Sequence, residues 1–332
     1  MTKLEASIQE YRQWCKAIGI ECIEDLNAVL EKGYGTALVN ICEARQERKY
    51  AEVADQIFFR RKTARIVMLS GPSSSGKTSS SLRIAQQCAV LGMKPKVIEL
   101  DNYFVNREDN PLDENGVPDY ECLGAMNVDL LNSNLCDLLE GKEVLIPRFD
   151  FVTGHSEFDK TRTMKLDSSD VLFMEGIHAL NPALVPSIDH NRIFGIYISP
   201  LSALDGGEKF HGSTTDKRLL RRILRDNRTR GNSPEQTILR WPSVRKGEIR
   251  NIYPYEDNAE VVFNSSMIYD MPLLKHYAEP LLQSIDRSSG AFEKASALLD
   301  YTGRFRALTQ DDISAVPVTS IMREFIGGQR FI

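Results

Sequence analysis

"LSGPSSSGKTSSS" (Leu69–Ser81) follows directly on the apolar run "RIVML". It fits G-x-x-x-x-G-K-[ST] through Gly71, Gly76, Lys77 and Thr78. Glycine tolerates backbone angles that a side chain resists, so the chain can curl and turn its N–H groups inward. At the start of a helix such N–H groups cradle phosphate oxygens. The lysine reaches the β- and γ-phosphates, and the threonine hydroxyl suits Mg²⁺. A strand-like run before it and helical spacing after it ("KTSSSLRIAQQCAVLGM") are the context in which this pattern means a nucleotide phosphate loop. No guanine-reading Asn-Lys-x-Asp pattern follows, which favours ATP.

Working outward, four further apolar runs read as strands: "PKVIELD" (95–101), "DVLFMEG" (170–176), "RIFGIYIS" (192–199) and "AEVVFNS" (259–265). They alternate with helical segments, which predicts an α/β fold: a central parallel sheet with helices on both faces. The stretch "KEVLIPRFDFVTGHSEFDKTRTMKLDSSD" (142–170) alternates apolar and polar residues around turn formers, and predicts a small antiparallel hairpin. Residues 1–60 read as three helices. Leu4, Ile8, Tyr11, Cys15 and Ile18 recur on one helical face, and the glycines near 19 and 33 mark stops. No chemistry is evident there. The expected organisation is a helical N-terminal appendage over 1–60 and a phosphate-loop domain over 61–332.

A chain of 332 residues with 42% hydrophobic and 26% charged residues suits a globular protein with a sizeable core. A net charge of −5 argues against a general nucleic-acid binder. The six cysteines, at 15, 22, 42, 88, 122 and 136, never take C-x-x-C spacing, and the histidines do not cluster with them. Free thiols in a reducing compartment are expected. Charged residues break up the first twenty positions, so no signal peptide is expected, and no apolar run is long enough to span a bilayer. A cytoplasmic protein is the expectation.

Ligands of open α/β sheets sit at the carboxyl ends of strands. Asp101 ends "KVIELD" and Glu175 ends "VLFME". Phosphoryl transfer needs one carboxylate to take the acceptor's proton and another on the metal side. Asp101 is therefore the candidate base, and Glu175, with Thr78, the candidate metal acid. "DKRLLRRILRDNRTRG" gathers seven cations around the apolar stripe Leu219, Leu220, Ile223 and Leu224. An arginine lid over a triphosphate accounts for such a helix in an acidic chain.

These motifs, in this order, resemble the uridine kinase and phosphoribulokinase group of P-loop kinases, above all the bacterial uridine kinase-like nucleoside kinases. The resemblance rests on "GPSSSGKT", "LDNYFVNRE", "IPRFDFVTG", "FMEGIHALNP", "RLLRRILRDNRTRG", "IYPYEDNAEVVFNSS" and "REFIGG", from about Ala51 onward. It implies that Ser73, Ser74, Ser75, Gly76, Lys77 and Thr78 bind the ATP phosphates and Mg²⁺. It implies that Asp101 activates a nucleoside 5′-hydroxyl, and that Arg222, Arg225 and Arg230 are the lid arginines. Glu121 would take the place of a ribose-binding aspartate, Tyr120 that of the aromatic residue before it, and Phe151 a wall of the base pocket. A homo-oligomer is also implied. In longer relatives a segment similar to part of threonyl-tRNA synthetase precedes the kinase, and residues 1–60 are a candidate for its tail.

The departures concern the acceptor. Uridine kinases read the pyrimidine edge with a hairpin tyrosine and histidine, whose counterparts here are Phe149 and Gly154, with His155 one position on. A tyrosine close after the catalytic aspartate is Phe104 here, preceded by Tyr103. Loss of hydrogen-bonding groups relaxes base discrimination. A kinase of a non-nucleoside small molecule, or a nucleotide-responsive, RNA-associated binding module, stays open beside the nucleoside kinase.

Overall fold

The computed structural model describes residues 1–114, 116–202, 204 and 214–331. Strand β1 (Ile66–Ser70) is buried at every residue because both of its faces are covered. Ile66 and Met68 cluster with Leu131, Leu135 and Leu138 of helix α5 (Val128–Leu139). Val67 and Leu69 turn the other way, onto Tyr50, Val53 and Ile57 of α3 (Gly35–Arg60) and Ile84 and Cys88 of α4 (Lys77–Val90). The alternation has period two and both faces are apolar, as for a strand inside a parallel sheet.

Around β1 run β2 (Lys94–Glu99), β7 (Asp170–Glu175), β8 (Ile193–Ser199) and β9 (Val261–Asn264). The order is β2-β7-β1-β8-β9 and every pairing is parallel. All five strands fall where the apolar runs predict them. Register brings Leu69 and Glu99 level with Glu175, so the acid of β7 and the start of the phosphate loop share one edge.

The predicted hairpin is two short nested ladders. The inner pair is β4 (Arg148–Asp150) with β5 (His155–Glu157), and the outer is β3 (Val144–Leu145) with β6 (Thr163–Met164). Gly154 turns the inner pair at φ +80°.

The three predicted N-terminal helices are α1 (Lys3–Ala17), α2 (Ile23–Glu31) and α3. They do not stand apart from the rest. Tyr11, Cys15 and Leu26 share one cluster with α6 (Thr214–Thr229), α7 (Pro234–Asn251), α8 (Asp270–Gln283) and α9 (Phe292–Gly303). α3 itself covers one face of the sheet. The chain closes with the short helices α10 (Gln310–Ser314) and α11 (Arg323–Ile326), and the latter's Phe325 lies in the same cluster. Among the described residues no helix is long and apolar enough to cross a membrane.

Candidate active site at the carboxyl edge of the sheet

The loop between β1 and α4 has no room for side chains where the motif has glycine. A Cβ on Gly71 would stand 2.1 Å from the Ile198 carbonyl oxygen, and one on Gly76 2.2 Å from Ile321 Cδ1. Gly76 also sits at φ +86°, and Ser74 is a non-glycine residue at φ +58°. Such a conformation in a serine stores strain that the surroundings must hold. The Ser74 and Ser75 hydroxyls are buried without a partner, although buried polar atoms nearly always have one. A cradle with two idle hydroxyls fits a phosphate ligand.

Lys77 Nζ rests on the Gly71 carbonyl oxygen at 3.0 Å. The Thr78 hydroxyl donates to Glu175 Oε1 at 2.6 Å, so the predicted metal pair meets between the start of α4 and the end of β7. Burial pushes the Glu175 carboxyl up to about 7, with Lys77 opposing and Asp101 adding. Two hard oxygen donors side by side fit Mg²⁺, which takes its other ligands from water and phosphate. Among the described residues no group of three or more His, Cys, Asp or Glu side chains could hold a metal.

Asp101 lies on a 3-10 turn (Leu100–Tyr103) at the end of β2. Burial raises its pKa, and Lys77, Arg230 and Arg225 pull it back. Glu121 comes from a different loop. Its carboxyl is pushed up to about 7 by burial, with Arg222 opposing, Glu248 and Asp101 adding, and Lys77 opposing. The expected base, ribose acid, loop lysine and three arginines therefore meet in one field.

The basic helix α6 does lie against the phosphate loop: Arg222 Nη1 donates to Ser73 Oγ at 2.8 Å. Arg228 donates to the Glu324 carbonyl oxygen, and the other six cations of the run divide into two sets. Arg222, Arg225 and Arg230 converge on the carboxylate of Asp226, at 3.1, 2.7 and 3.8 Å. Lys217, Arg218 and Arg221 are buried instead. Lys217 and Arg221 pair with Asp270, and Arg218 pairs with Glu248. With Leu219, Leu220, Ile223 and Leu224 also buried, the helix is built into the core rather than hinged over the site.

On the acceptor side, Phe104, Phe149 and Phe151 stack edge to face, with centroids 5.2–6.4 Å apart. Arg230 lies 5.7 Å from the Phe151 ring centroid and ties the end of the basic helix to the hairpin. Position 154 cannot carry a reader: beyond its positive φ, a Cβ there would meet Arg107 Nε at 2.7 Å. His155 stands at the rim, half exposed, with Nδ1 3.6 Å from Glu108. Tyr120 is 48% exposed beside Glu121. Tyr103 is a correction. It points into the core, where its hydroxyl accepts from Asn134 Nδ2 at 3.1 Å, and so cannot reach an acceptor.

Three buried polar residues near the site escape sequence reading. Asp226, the hub of the arginines, is the one acid inside the basic run and stands four residues from Arg222 and Arg230. Glu248 follows Trp241 and Val244 at helical spacing, an acid on an apolar face. His178 in "EGIHAL" is buried with both ring nitrogens unpartnered, and burial lowers its pKa to about 4.

The model of the "Phosphoribulokinase / Uridine kinase family" matches residues 66–271. A uridine kinase of Macrococcus caseolyticus is 31% identical over 179 residues, 54% of this chain and 77% of that protein. A uridine kinase of Staphylococcus aureus strain JH9 is 31% identical over 184 residues, 55% of this chain and 78% of that one. A solved phosphoribulokinase of Rhodobacter spheroides is 16% identical with a TM-score of 0.40, covering 61% of this chain and 70% of that one. The matched span takes in all five strands of the sheet and runs over more than half of the chain, so the chain belongs to the phosphoribulokinase/uridine kinase family of P-loop kinases.

Proposed function

We propose that the protein transfers the γ-phosphoryl group of ATP to the 5′-hydroxyl of a nucleoside with a uridine- or cytidine-like base. One observation carries the reading. Asp101 and Glu121, from separate segments, both face Lys77 of the phosphate loop, Asp101 together with Arg230 and Arg225, and Glu121 together with Arg222. Relatives named uridine kinase support the acceptor class.

Asp101 takes the proton of the acceptor hydroxyl as its oxygen bonds to the γ-phosphorus and the bond to the ADP oxygen breaks. Its burial, which favours the protonated form, suits a base that must receive a proton. Lys77 and the three arginines offset the charge on the transferring group. Gly71, Gly76 and the serines at 73–75 hold the phosphates. Thr78 and Glu175 would hold Mg²⁺, which would offset negative charge on the phosphates. Glu121 accepts from the ribose hydroxyls, and Phe149 and Phe151 wall the base, with Tyr120 and His155 at the opening. A homo-oligomer belongs to this reading, by likeness to the family.

The test is ATP-dependent phosphorylation across ribo- and deoxynucleosides with Mg²⁺. Product from one or a few nucleosides is expected. ATP binding with no product from any of them overturns the reading. Phe149 and Gly154, which offer no base-edge hydrogen bond, favour a second reading: a non-nucleoside hydroxyl acceptor.

A further inference from the structure

One turn of α7 touches both halves of the site. Glu248, 0% exposed, accepts the backbone N–H of Ser73 in the phosphate loop at 3.0 Å. Arg218 closes the joint: it donates to the same carboxylate and, through Nη1, to the Ser73 carbonyl oxygen at 3.1 Å. Arg245 and the Tyr253 hydroxyl also donate to Glu248, so the carboxylate cannot swing. The neighbouring residue faces the acceptor side. A Cβ on Gly247 would stand 2.6 Å from Glu121 Cβ, so glycine alone lets the helix approach. Asn251, one turn on, donates from Nδ2 to the Glu121 carbonyl oxygen at 2.7 Å. Successive residues of a helix point about 100° apart, which lets adjacent positions serve two different loops.

We infer that Gly247, Glu248 and Asn251 are positioning residues that set the phosphate loop and the acceptor carboxylate Glu121 against each other. The acceptor half rests on the reading of Glu121 given above. A rigid turn carries the distance between the two loops, and a displacement near 1 Å in such a site is costly to transfer. Glu248 accepts one bond from the loop and four from its supports Arg218, Arg245 and Tyr253. It holds the loop backbone without occupying the phosphate cradle, whose Ser74 and Ser75 hydroxyls stay free.

The experiment has two arms on the full chain. ATP affinity is measured by calorimetry without acceptor, and KM and kcat with whichever nucleoside the unaltered protein turns over. Glu248→Gln is expected to weaken ATP about tenfold, the worth of one charge-assisted hydrogen bond, with acceptor KM little changed. Gly247→Ala and the milder Asn251→Ala are expected to do the opposite: raised acceptor KM and ATP affinity within twofold, with Asn251→Ala smaller. Parallel losses in both arms, or no loss in either, overturn the inference in favour of a purely structural turn. Should Glu248→Gln fail to fold, Asn251→Ala decides: an ATP affinity that falls as acceptor KM rises overturns it. If the unaltered protein phosphorylates no nucleoside, the proposed function fails, and Glu248→Gln and Asn251→Ala decide the inference on ATP affinity alone.

Discussion

The donor side and the acceptor side of this site are built to different standards. Around the phosphate loop the backbone is closely packed: Ser75 is fully buried, Gly71 abuts the Ile198 carbonyl, and Gly76 abuts Ile321. The hairpin that walls the acceptor side is open. Phe151 is 55% exposed and Val152 87%. The donor half comes from one contiguous loop held by backbone geometry, because a triphosphate offers the same oxygens whatever the acceptor. The acceptor half is assembled from loops near 101–107, 120–122 and 149–158, whose exposed positions such as Tyr120 and Phe151 take substitution at little cost in stability. Under the proposed function, such a division lets one phosphoryl-transfer engine accept different alcohols, and it accounts for the proposed catalytic residues beside a wall of three phenylalanines.

The comparison can be broken most directly at Asp101, which belongs to both sides. Asp101→Asn should lower kcat by roughly 10²–10⁴-fold with ATP affinity nearly unchanged. Steady-state kinetics with near-normal turnover would remove it from the role of base. Next in size is the donor loop. Gly76→Ala places a Cβ at positive φ against Ile321, and about 1–3 kcal/mol of strain should weaken ATP about ten- to a hundredfold. Calorimetric titration with ATP checks it, and unchanged affinity would mean the loop is less tightly specified than its contacts suggest.

A pH dependence sharpens the acceptor side. Burial raises Glu121 to about 7 from 4.5, so between those values the folded protein holds a proton that the unfolded chain has released. In this group's contribution, stability falls as pH rises through that window. Acceptor binding should run the other way, because the ionised carboxylate is the better partner for ribose hydroxyls. Burial sets its midpoint first, and of the charges that face it Arg222 and Lys77 oppose the rise while Glu248 and Asp101 add to it. Acceptor affinity should therefore weaken by up to about tenfold per pH unit below 7 and level off above it. Glu121→Gln should flatten the profile, and a profile that survives the substitution would assign the effect elsewhere. The smallest effect is expected at the rim. Phe151→Ala should cost under about 1 kcal/mol in unfolding free energy and raise acceptor KM about three- to tenfold by removing an aromatic wall. Denaturant titration beside kinetics separates the two, and a large stability loss would mean that the hairpin is core after all.

Much of the donor half was legible in the chain alone. The phosphate loop is contiguous, the strands are short apolar runs, and Asp101 and Glu175 end two of them, so local periodicity places all three kinds of feature. The arginine helix was half legible. Its spacing does not say that Arg218 and Arg221 turn inward to Glu248 and Asp270 while Arg222, Arg225 and Arg230 meet at Asp226. Tyr103 shows the same limit, because a residue two positions after the candidate base Asp101 can point to either side of a turn, and here it packs against α5. Sequence by itself determined the phosphate loop, the five strands and the acids at their ends, since each is written in neighbouring residues. The tertiary structure alone decided the strand order, the helices of 1–60 as part of the packed body, and the joint through Gly247, Glu248 and Asn251. Those depend on contacts between residues distant in the chain, such as Glu248 with Ser73, 175 positions apart, for which one chain read in order carries no periodic signal.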